Sequence, residues 1–139
     1  MFKTILFATD ASTSAERALI YLEHLAKLEG AKVYVFHAYE LPNRYRAVEG
    51  FDALAAQYRQ VAQAAVDDSV EVLKEAGIDA EGELIEGAPA PAILEAAQRH
   101  NADLIVMGIR GPGSVAEMLL GSVSTHVLRY APCPVLVVP

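Results

Sequence analysis

Cysteine is almost absent from the 139-residue chain, and no histidine pair has the spacing of metal ligands. Cys133 stands alone, so no disulfide can form within the chain and no second thiolate is available to complete a zinc site. Its position between two prolines at a helix-to-strand junction indicates a small structural residue rather than a redox centre. The histidines lack close H-x3-H pairing; they are His24, His37, His100 and His126. We therefore expect neither an internal disulfide nor a structural zinc, and we assign no metal ligand.

Long apolar runs and an excess of positive charge are also missing. No run is long enough to span a bilayer, and the first seven residues lack the charged region, long apolar region and cleavage site of a signal peptide. The chain has 11 Lys and Arg against 18 Asp and Glu, a formal net charge of −7. This balance argues against general binding to nucleic acid or anionic membranes, because both require a basic surface. We expect a cytoplasmic protein with no nucleic-acid or membrane partner.

The composition is that of a folded domain, with 53% hydrophobic and 21% charged residues. The length is typical of one domain, which we assign to residues 1–139. Two hydrophobic periodicities alternate along it. Strand-like apolar runs lie at residues 3–9, 31–37, 78–85, 103–107 and 134–138, and a helical pattern follows each of the first four. This alternation predicts an α/β fold with right-handed crossovers, in which an open parallel five-stranded sheet carries four main helices on both faces.

Several local signals refine the predicted elements. Thr13 and Glu16 have the spacing of a capping box at the start of the first helix. Gly30 and Gly77 are expected to end the first and second helices. Pro89 or Pro91 suits the first turn of the third helix. The apolar stripe of the first helix is Ala15, Ala18, Leu19, Leu22, Leu25 and Ala26, and that of the second, over about residues 52–76, is Leu54, Tyr58, Val61 and Ala65. Residues 39–51 are expected to form a long loop, and residues 78–85 an edge strand.

A stretch from Gly108 to Ser122 organises the rest of the chain. It follows an apolar strand-like run and precedes a helical pattern, and it contains Gly108, Gly111 and Gly121. A strand, a glycine-rich loop and a helix in this order place free backbone N–H groups beside the positive end of a helix, as a phosphate requires. The alternative is that the glycines only shape a long connection.

The spacing Gly108-x2-Gly111-x9-Gly121-Ser122 resembles the nucleotide-binding signature of the universal stress protein family. The resemblance extends to residues 5–10 (ILFATD), which are similar to the family's opening strand, and to residues 86–89 (EGAP), which resemble its entry to the third helix. A P-loop is excluded because no lysine follows Gly121. The resemblance implies a Rossmann-like, adenine nucleotide alpha hydrolase-like fold with strand order 3-2-1-4-5.

In that order the chain direction reverses between strands one and four, and ligands of such sheets bind beyond the carboxyl ends of the strands at the reversal. Residues 8–10 and 107–108 should meet there. A carboxylate at Asp10 can accept hydrogen bonds from ribose hydroxyls or an adenine amine, or it can cap a helix, or it can do both.

The family resemblance also implies a set of site residues. Around adenine and ribose it places Ala8, Asp10 and Ala38, and along the nucleoside Met107 and Gly108. At the phosphates it places Gly111, Gly121, Ser122 and Val123, with Ser124 as a candidate additional hydroxyl. Ala8 and Ala38 stand where the family often has proline and valine, so the adenine wall is expected to be looser.

Other polar residues have a ligand-binding and a plainer interpretation. Arg110 could pair with a phosphate, although a solvated arginine is favoured. Arg44 and Arg46 flank Tyr45 in the long loop, which could act as a lid or be a surface turn. Asp67 and Asp68 point about 100° apart on a helix, so we assign them to its solvated face.

The resemblance implies an ATP-, ADP- or AMP-binding module in stress response or signalling, with Mg²⁺ expected beside a triphosphate. We assign no catalytic residue, because the sequence shows no nucleophile motif and few cations for phosphoryl transfer. A slow ATPase or phosphotransferase is the second hypothesis, and a nucleotide-independent interaction subunit is the third. The downstream protein partner is unknown.

The last strand predicts a contact with a second copy of the chain. Val135–Val138 is strongly apolar, and no further strand follows it in the sequence to cover its outer edge. An uncovered apolar edge is an aggregation hazard, and antiparallel addition of the same strand would bury it with two-fold symmetry. The family resemblance also implies dimers, so we expect a homodimer through this strand.

Overall fold

The protein is built on a five-stranded sheet in the order β3-β2-β1-β4-β5, and every neighbouring pair is parallel. The computed structural model describes residues 1–109 and 120–139. The strands are β1 (Thr4–Ala8), β2 (Lys32–Tyr39), β3 (Ala80–Glu86), β4 (Leu104–Gly108) and β5 (Val135–Val138). The helices are α1 (Thr13–Glu29), α2 (Phe51–Glu75), α3 (Pro89–Arg99) and α4 (Ser122–Tyr130). The predicted α/β architecture and strand order are confirmed.

Helices cover both faces of the sheet, which explains the nearly continuous apolar strands. Along β1, Ile5 and Phe7 pack with α1 and α2, whereas Leu6 and Ala8 pack with α3 and α4. Successive residues of a strand point to opposite faces. Because both faces are covered by helices, all four side chains are buried. At the edge of the sheet, as predicted, β3 is only partly covered: Ala80 is buried, whereas Glu81 and Glu86 are exposed.

The predicted capping box at Thr13 is wrong. The N-cap of α1 is Ser12, whose Oγ accepts a hydrogen bond from the backbone N–H of Ala15 at 3.2 Å. Thr13 is the first helical residue, and Glu16 is therefore one position too late to complete the box. The turn from β1 brings Ser12 to the cap position first, a tertiary constraint that the local motif does not contain.

The predicted apolar stripe of α2 does not form the buried face of that helix. Leu54, Tyr58 and Val61 are exposed to 60%, 49% and 69%. The buried positions are instead Phe51, Ala62, Val66 and Leu73. A 25-residue helix offers two apolar stripes, and the sheet covers only one of them. The exposed stripe, through Tyr58 and Val61, reaches the rim of the cleft described below.

The segment before α2 is shorter and more ordered than a loop over residues 39–51 would be. Strand β2 continues through Tyr39, a short 3-10 turn spans Asn43–Tyr45, and Phe51 already belongs to α2. Gly30 and Gly77 end α1 and α2 in the left-handed region, with φ of 63° and 83°, as predicted. Within the described ranges, no helix is both long and apolar enough to cross a bilayer.

Gly108 allows the end of β4 to lie directly against the first turn of α1. A Cβ built on Gly108 would lie 2.8 Å from the backbone N of Ala15 and 2.9 Å from the backbone C of Ser14. Backbone atoms at the start of a helix cannot move aside as a side chain can. Glycine is therefore required here for packing, independently of any ligand.

We predict that Gly108→Ala lowers the free energy of unfolding by about 2 kcal/mol or more, because the added methyl overlaps backbone. Gly87→Ala is the matched control, since its Cβ would meet only Ile85 Cγ2, at 3.9 Å. Urea denaturation followed by circular dichroism measures both. Equal stability of the two variants would contradict the packing role of Gly108.

Candidate functional site

A cleft of about 480 Å³ opens at the carboxyl ends of β2, β1 and β4. This volume lies within the usual range of small-molecule sites. The cleft lies where the helices that follow β1 and β4 pack on opposite faces of the sheet, α1 on one face and α4 on the other. Nine of the ten sequence-predicted site residues line it: Ala8, Asp10, Ala38, Met107, Gly108, Gly121, Ser122, Val123 and Ser124. Gly111 and Arg110 lie outside the described residues.

One wall of the cleft is apolar and buried. Ala8 and Ala38 are each 8% exposed and lie on neighbouring strands. Phe36, Ile93 and Met107 extend this wall toward α3 and β4. A flat apolar ring could be buried here, and the small alanine side chains leave it room.

The turn from β1 to α1 presents Asp10 at the cleft. One carboxylate oxygen, Oδ1, accepts a hydrogen bond from the backbone N–H of Ser12 at 2.9 Å. The carboxylate thus stabilises the turn that leads into the helix, while Ser12 acts as the cap. Because a carboxylate has two oxygens, Asp10 can also accept hydrogen bonds from a ligand.

The start of α4 forms the opposite end of the cleft. Gly121 is the N-cap, and the backbone N–H of Thr125 donates to the Gly121 carbonyl oxygen at 3.0 Å. The N–H groups of the first helical turn have no partner inside a helix, and they sit at its positive end. Ser122 and Val123 belong to this turn and line the cleft. The arrangement can hold an anion without a cationic side chain.

Ser124 lines the cleft, but its hydroxyl is engaged in hydrogen bonds within the protein. It is 2% exposed, and its Oγ donates to the carbonyl oxygens of Ile109 at 2.7 Å and Gly121 at 3.1 Å. A hydroxyl has one proton, so these carbonyls use the donor that a phosphate would need. Ser122 is exposed and is the better placed hydroxyl.

Sequence reasoning missed the aromatic side of the cleft. His37, Tyr39 and Tyr58 line it on the α2 side. The Tyr39 and Tyr58 rings lie 5.5 Å apart, and Arg59 donates to the Tyr39 hydroxyl at 3.4 Å. His37 Nδ1 lies 2.7 Å from the carbonyl oxygen of Thr9. The period of two along β2 places His37 and Tyr39 on one face, which was the available signal.

The described lining contains Asp10, Glu40 and His37 but no lysine or arginine. Within the described part of the chain, no group of three or more His, Cys, Asp or Glu side chains is placed to hold a metal ion. An anionic ligand would therefore depend on backbone N–H groups, or on a cation that it carries with it.

The remaining polar candidates lie away from the cleft lining. Arg46 pairs with Glu86 at 3.2 Å and donates to Asn43 Oδ1 at 2.7 Å, joining the 3-10 turn to the end of β3. The Arg44 guanidinium lies 4.8 Å from the centre of the Tyr45 ring. A lid role for this loop stays a prediction.

The surroundings of Asp67, Asp68 and Cys133 agree with structural or solvated roles for these residues. Asp67 and Asp68 are exposed on α2, as predicted, and Asp67 accepts from Gln63 at 2.9 Å. Cys133 is half-buried, and burial raises the pKa of its thiol, which opposes formation of a reactive thiolate.

The model of the universal stress protein family matches residues 1–139. The chain belongs to this family. It is 42% identical over 139 residues to the "Universal stress protein in QAH/OAS sulfhydrylase 3'region" of Thermus aquaticus, and the match covers 99% of each chain. The resemblance inferred from the glycine spacing is therefore confirmed.

Solved structures of family members include nucleotide complexes. A universal stress protein in complex with cAMP superposes with a TM-score of 0.76 and 30% identity, covering 99% of this chain and 97% of that one. The universal stress protein from Archaeoglobus fulgidus in complex with dAMP has a TM-score of 0.71 and 27% identity, covering 99% and 98%. Both ligands are adenine nucleotides.

We predict that Ser124→Ala lowers the free energy of unfolding by about 1 to 2 kcal/mol, because it removes a buried donor from the Ile109 and Gly121 carbonyls. The control is Ser122→Ala, at the exposed first residue of α4, which should change the free energy of unfolding by less than about 0.5 kcal/mol. Urea denaturation measures the free energy of unfolding of both variants. An unaffected Ser124→Ala variant would show that the hydroxyl does not join Ile109 to α4.

Proposed function

We propose that this protein binds an adenine nucleotide in the cleft and acts as a nucleotide-dependent binding module in stress response or signalling. One observation carries the proposal: a single cavity joins a buried apolar wall, a carboxylate and the start of a helix. These features match the three parts of a nucleotide, a flat base, a sugar with hydroxyls and an anionic phosphate. The cAMP and dAMP complexes of relatives support the same assignment.

In this proposal the base lies against Ala8, Ala38 and Met107, and the ribose lies near Asp10 and Gly108. The phosphates face the backbone of Gly121, Ser122 and Val123. Gly111, outside the described residues, is proposed to complete the phosphate site. Ser124 acts by holding Ile109 against the start of α4, a role supported by its two hydrogen bonds.

ATP, ADP and AMP all remain candidate ligands, and Mg²⁺ is proposed to accompany a triphosphate. The reason is electrostatic: the described lining has two carboxylates and no lysine or arginine. A triphosphate would add further negative charge, which a bound cation offsets. We place the protein in the cytoplasm, the compartment that supplies these nucleotides, and the downstream partner remains to be identified by capture with and without ligand.

The direct test is to denature freshly purified protein and identify any released nucleotide by chromatography and mass spectrometry. The emptied protein is then titrated with ATP and AMP by calorimetry, while phosphate release is followed in parallel. Saturable binding of adenine nucleotide with negligible phosphate release supports a binding module. Phosphate release that disappears in a site variant would identify a slow ATPase instead, and the absence of binding would refute the proposal.

We predict that Gly121→Val weakens AMP and ATP binding at least about tenfold, because a branched side chain would occupy the region where backbone meets phosphate. Gly121 has φ of −68° and ψ of 163°, an extended conformation open to any residue, so the variant is expected to fold. The affinity is measured by calorimetry. Leu128→Ala, at an exposed position farther along α4, is the control.

Unchanged nucleotide affinity in a folded Gly121→Val protein would show that the phosphate does not bind at this end of the cleft. Circular dichroism and urea denaturation establish whether the variant is folded.

We also propose a homodimer formed by antiparallel pairing of β5 (Val135–Val138) with the same strand of a second copy. Among the described strands, β5 lies at the sheet edge next to β4. Ile105 N donates to Pro134 O, and Ile109 N donates to Val138 O. In a parallel ladder alternate residues bond to one neighbour, so the N–H and C=O of Val135 and Val137 point away from β4. No other strand of the described residues pairs with these groups, and in the proposed dimer they bond to the second copy.

We predict that Val137→Pro shifts the protein from dimer to monomer at micromolar concentration, because proline removes an outward N–H without removing a bond to β4. Val137→Ala keeps the N–H and should remain dimeric. Sedimentation velocity measures both variants. A wild-type monomer, or a dimer that persists in Val137→Pro, would argue against pairing through β5.

A further inference from the structure

We infer that His37 is a positioning residue for nucleotide binding, which acts by holding the β1–α1 turn that presents Asp10 to the cleft. The inference rests on the proposed nucleotide binding. It assigns to His37 a role distinct from contact with the ligand. Three features of the structure carry it: the hydrogen bond of the imidazole, the conformation of the turn, and the strand face from which His37 projects.

The first feature is the bond between His37 Nδ1 and the carbonyl oxygen of Thr9, at 2.7 Å. A carbonyl oxygen can only accept, so Nδ1 must carry a proton and donate it. This requirement is the same for the neutral and the charged imidazole. The bond joins the end of β2 to the residue directly before Asp10, and it is a contact that only the fold creates.

The second feature is the conformation of the turn. Ala11, directly after Asp10, has φ of 61°, a left-handed conformation that costs a residue with a Cβ free energy. Such a conformation persists where the surrounding contacts hold it. Thr9 N donates to Phe36 O at 2.9 Å, and Ala11 N donates to Thr9 Oγ1 at 3.2 Å. His37 adds a bond at the Thr9 carbonyl, so strand β2 holds Thr9 by both its N–H and its C=O.

The third feature is the direction of the side chain. Along β2, Val33 and Val35 pack on the α1 and α2 side of the sheet, whereas Phe36 and Ala38 pack on the α3 and α4 side. The period of two places His37 on the α2 side, opposite the wall proposed for the base. His37 lines the cleft, but its Nδ1 is committed to the turn. Its position therefore favours an effect through Asp10.

Two substitutions separate positioning from direct contact. The side-chain amide nitrogen of asparagine can occupy the place of Nδ1, and that of glutamine the place of Nε2. His37→Asn should keep the bond to Thr9, and AMP affinity should stay within about threefold of wild type. His37→Gln should lose the bond and weaken AMP binding about tenfold, the effect of one well-placed hydrogen bond. The reverse order of the two variants would indicate contact through Nε2 and overturn the inference.

A double-mutant cycle then tests whether His37 acts through Asp10. Asp10→Asn keeps one side-chain oxygen that can accept the hydrogen bond from Ser12 N–H, but the ligand no longer meets a charged carboxylate. In the Asp10→Asn background, His37→Gln should change AMP affinity less than about twofold, because the group that it positions is already altered. A merely structural role would give the full tenfold loss in both backgrounds, and that additivity would overturn the inference. His24→Gln, on the exposed side of α1, is the control for loss of an imidazole.

A measurement on the unaltered protein guards against a variant that fails to fold. In ¹⁵N-labelled wild-type protein, long-range ¹⁵N–¹H spectra should show the neutral His37 ring protonated at Nδ1. A ring protonated only at Nε2 would overturn the inference while leaving nucleotide binding intact. If wild-type protein binds no nucleotide, the proposed function fails and this inference fails with it. If wild-type protein binds nucleotide but the ring has the other tautomer, only this inference fails.

Discussion

The parallel pairing of β1 with β4 is the constraint on which the rest of the structure depends. The two strands lie side by side, with Ala8 opposite Met107, and the helices that follow them, α1 and α4, pack on opposite faces of the sheet. The cleft opens at the carboxyl ends of these strands. The same pairing brings β4 against the start of α1, where only glycine fits at position 108. Packing and site geometry thus arise from one arrangement, and a change at that junction should affect both.

In a protein as acidic as this one, the proposed binding of a phosphate has no general electrostatic attraction to rely on. The net charge is −7, and the described lining carries two carboxylates beside one histidine. Attraction must therefore be local, from the N–H groups at the start of α4 and the dipoles aligned behind them. In the proposed function, this local attraction would favour a ligand whose phosphate reaches the start of α4.

The cleft has two chemically different sides, and they suit different tasks. The α3 side is apolar, with Ala8 and Ala38 as its small central residues. The α2 side carries His37, Tyr39 and Tyr58, whose rings and hydrogen bonds connect β2, α2 and the β1–α1 turn. Ligand contact and support of the turn can therefore be assigned to opposite faces of the same strand. In the proposed complex, the base would contact the apolar side, while the bond from His37 to Thr9 supports the turn that carries Asp10.

Local sequence determined much of this protein, because element type, helix ends and glycine positions depend on neighbouring residues. The alternating periodicities predicted the five strands and four helices of the described residues, and Gly30 and Gly77 lie at the ends of α1 and α2, as predicted. Periodicity could not give the strand order, which came from the family resemblance. Nine predicted site residues converge on one cleft, although they come from the ends of three strands and the start of α4.

Only the tertiary structure decided which of several locally equivalent choices was used. Ser12 rather than Thr13 caps α1, because the turn from β1 sets where the helix can begin. The sheet covers the stripe of Val66 and Leu73 on α2 and leaves Leu54 and Val61 exposed, although both stripes have helical spacing. The bond from His37 to Thr9 joins residues 28 apart in sequence, and no local pattern encodes it. Short-range preferences fix what a segment can become, whereas long-range packing selects the face, the cap and the partner.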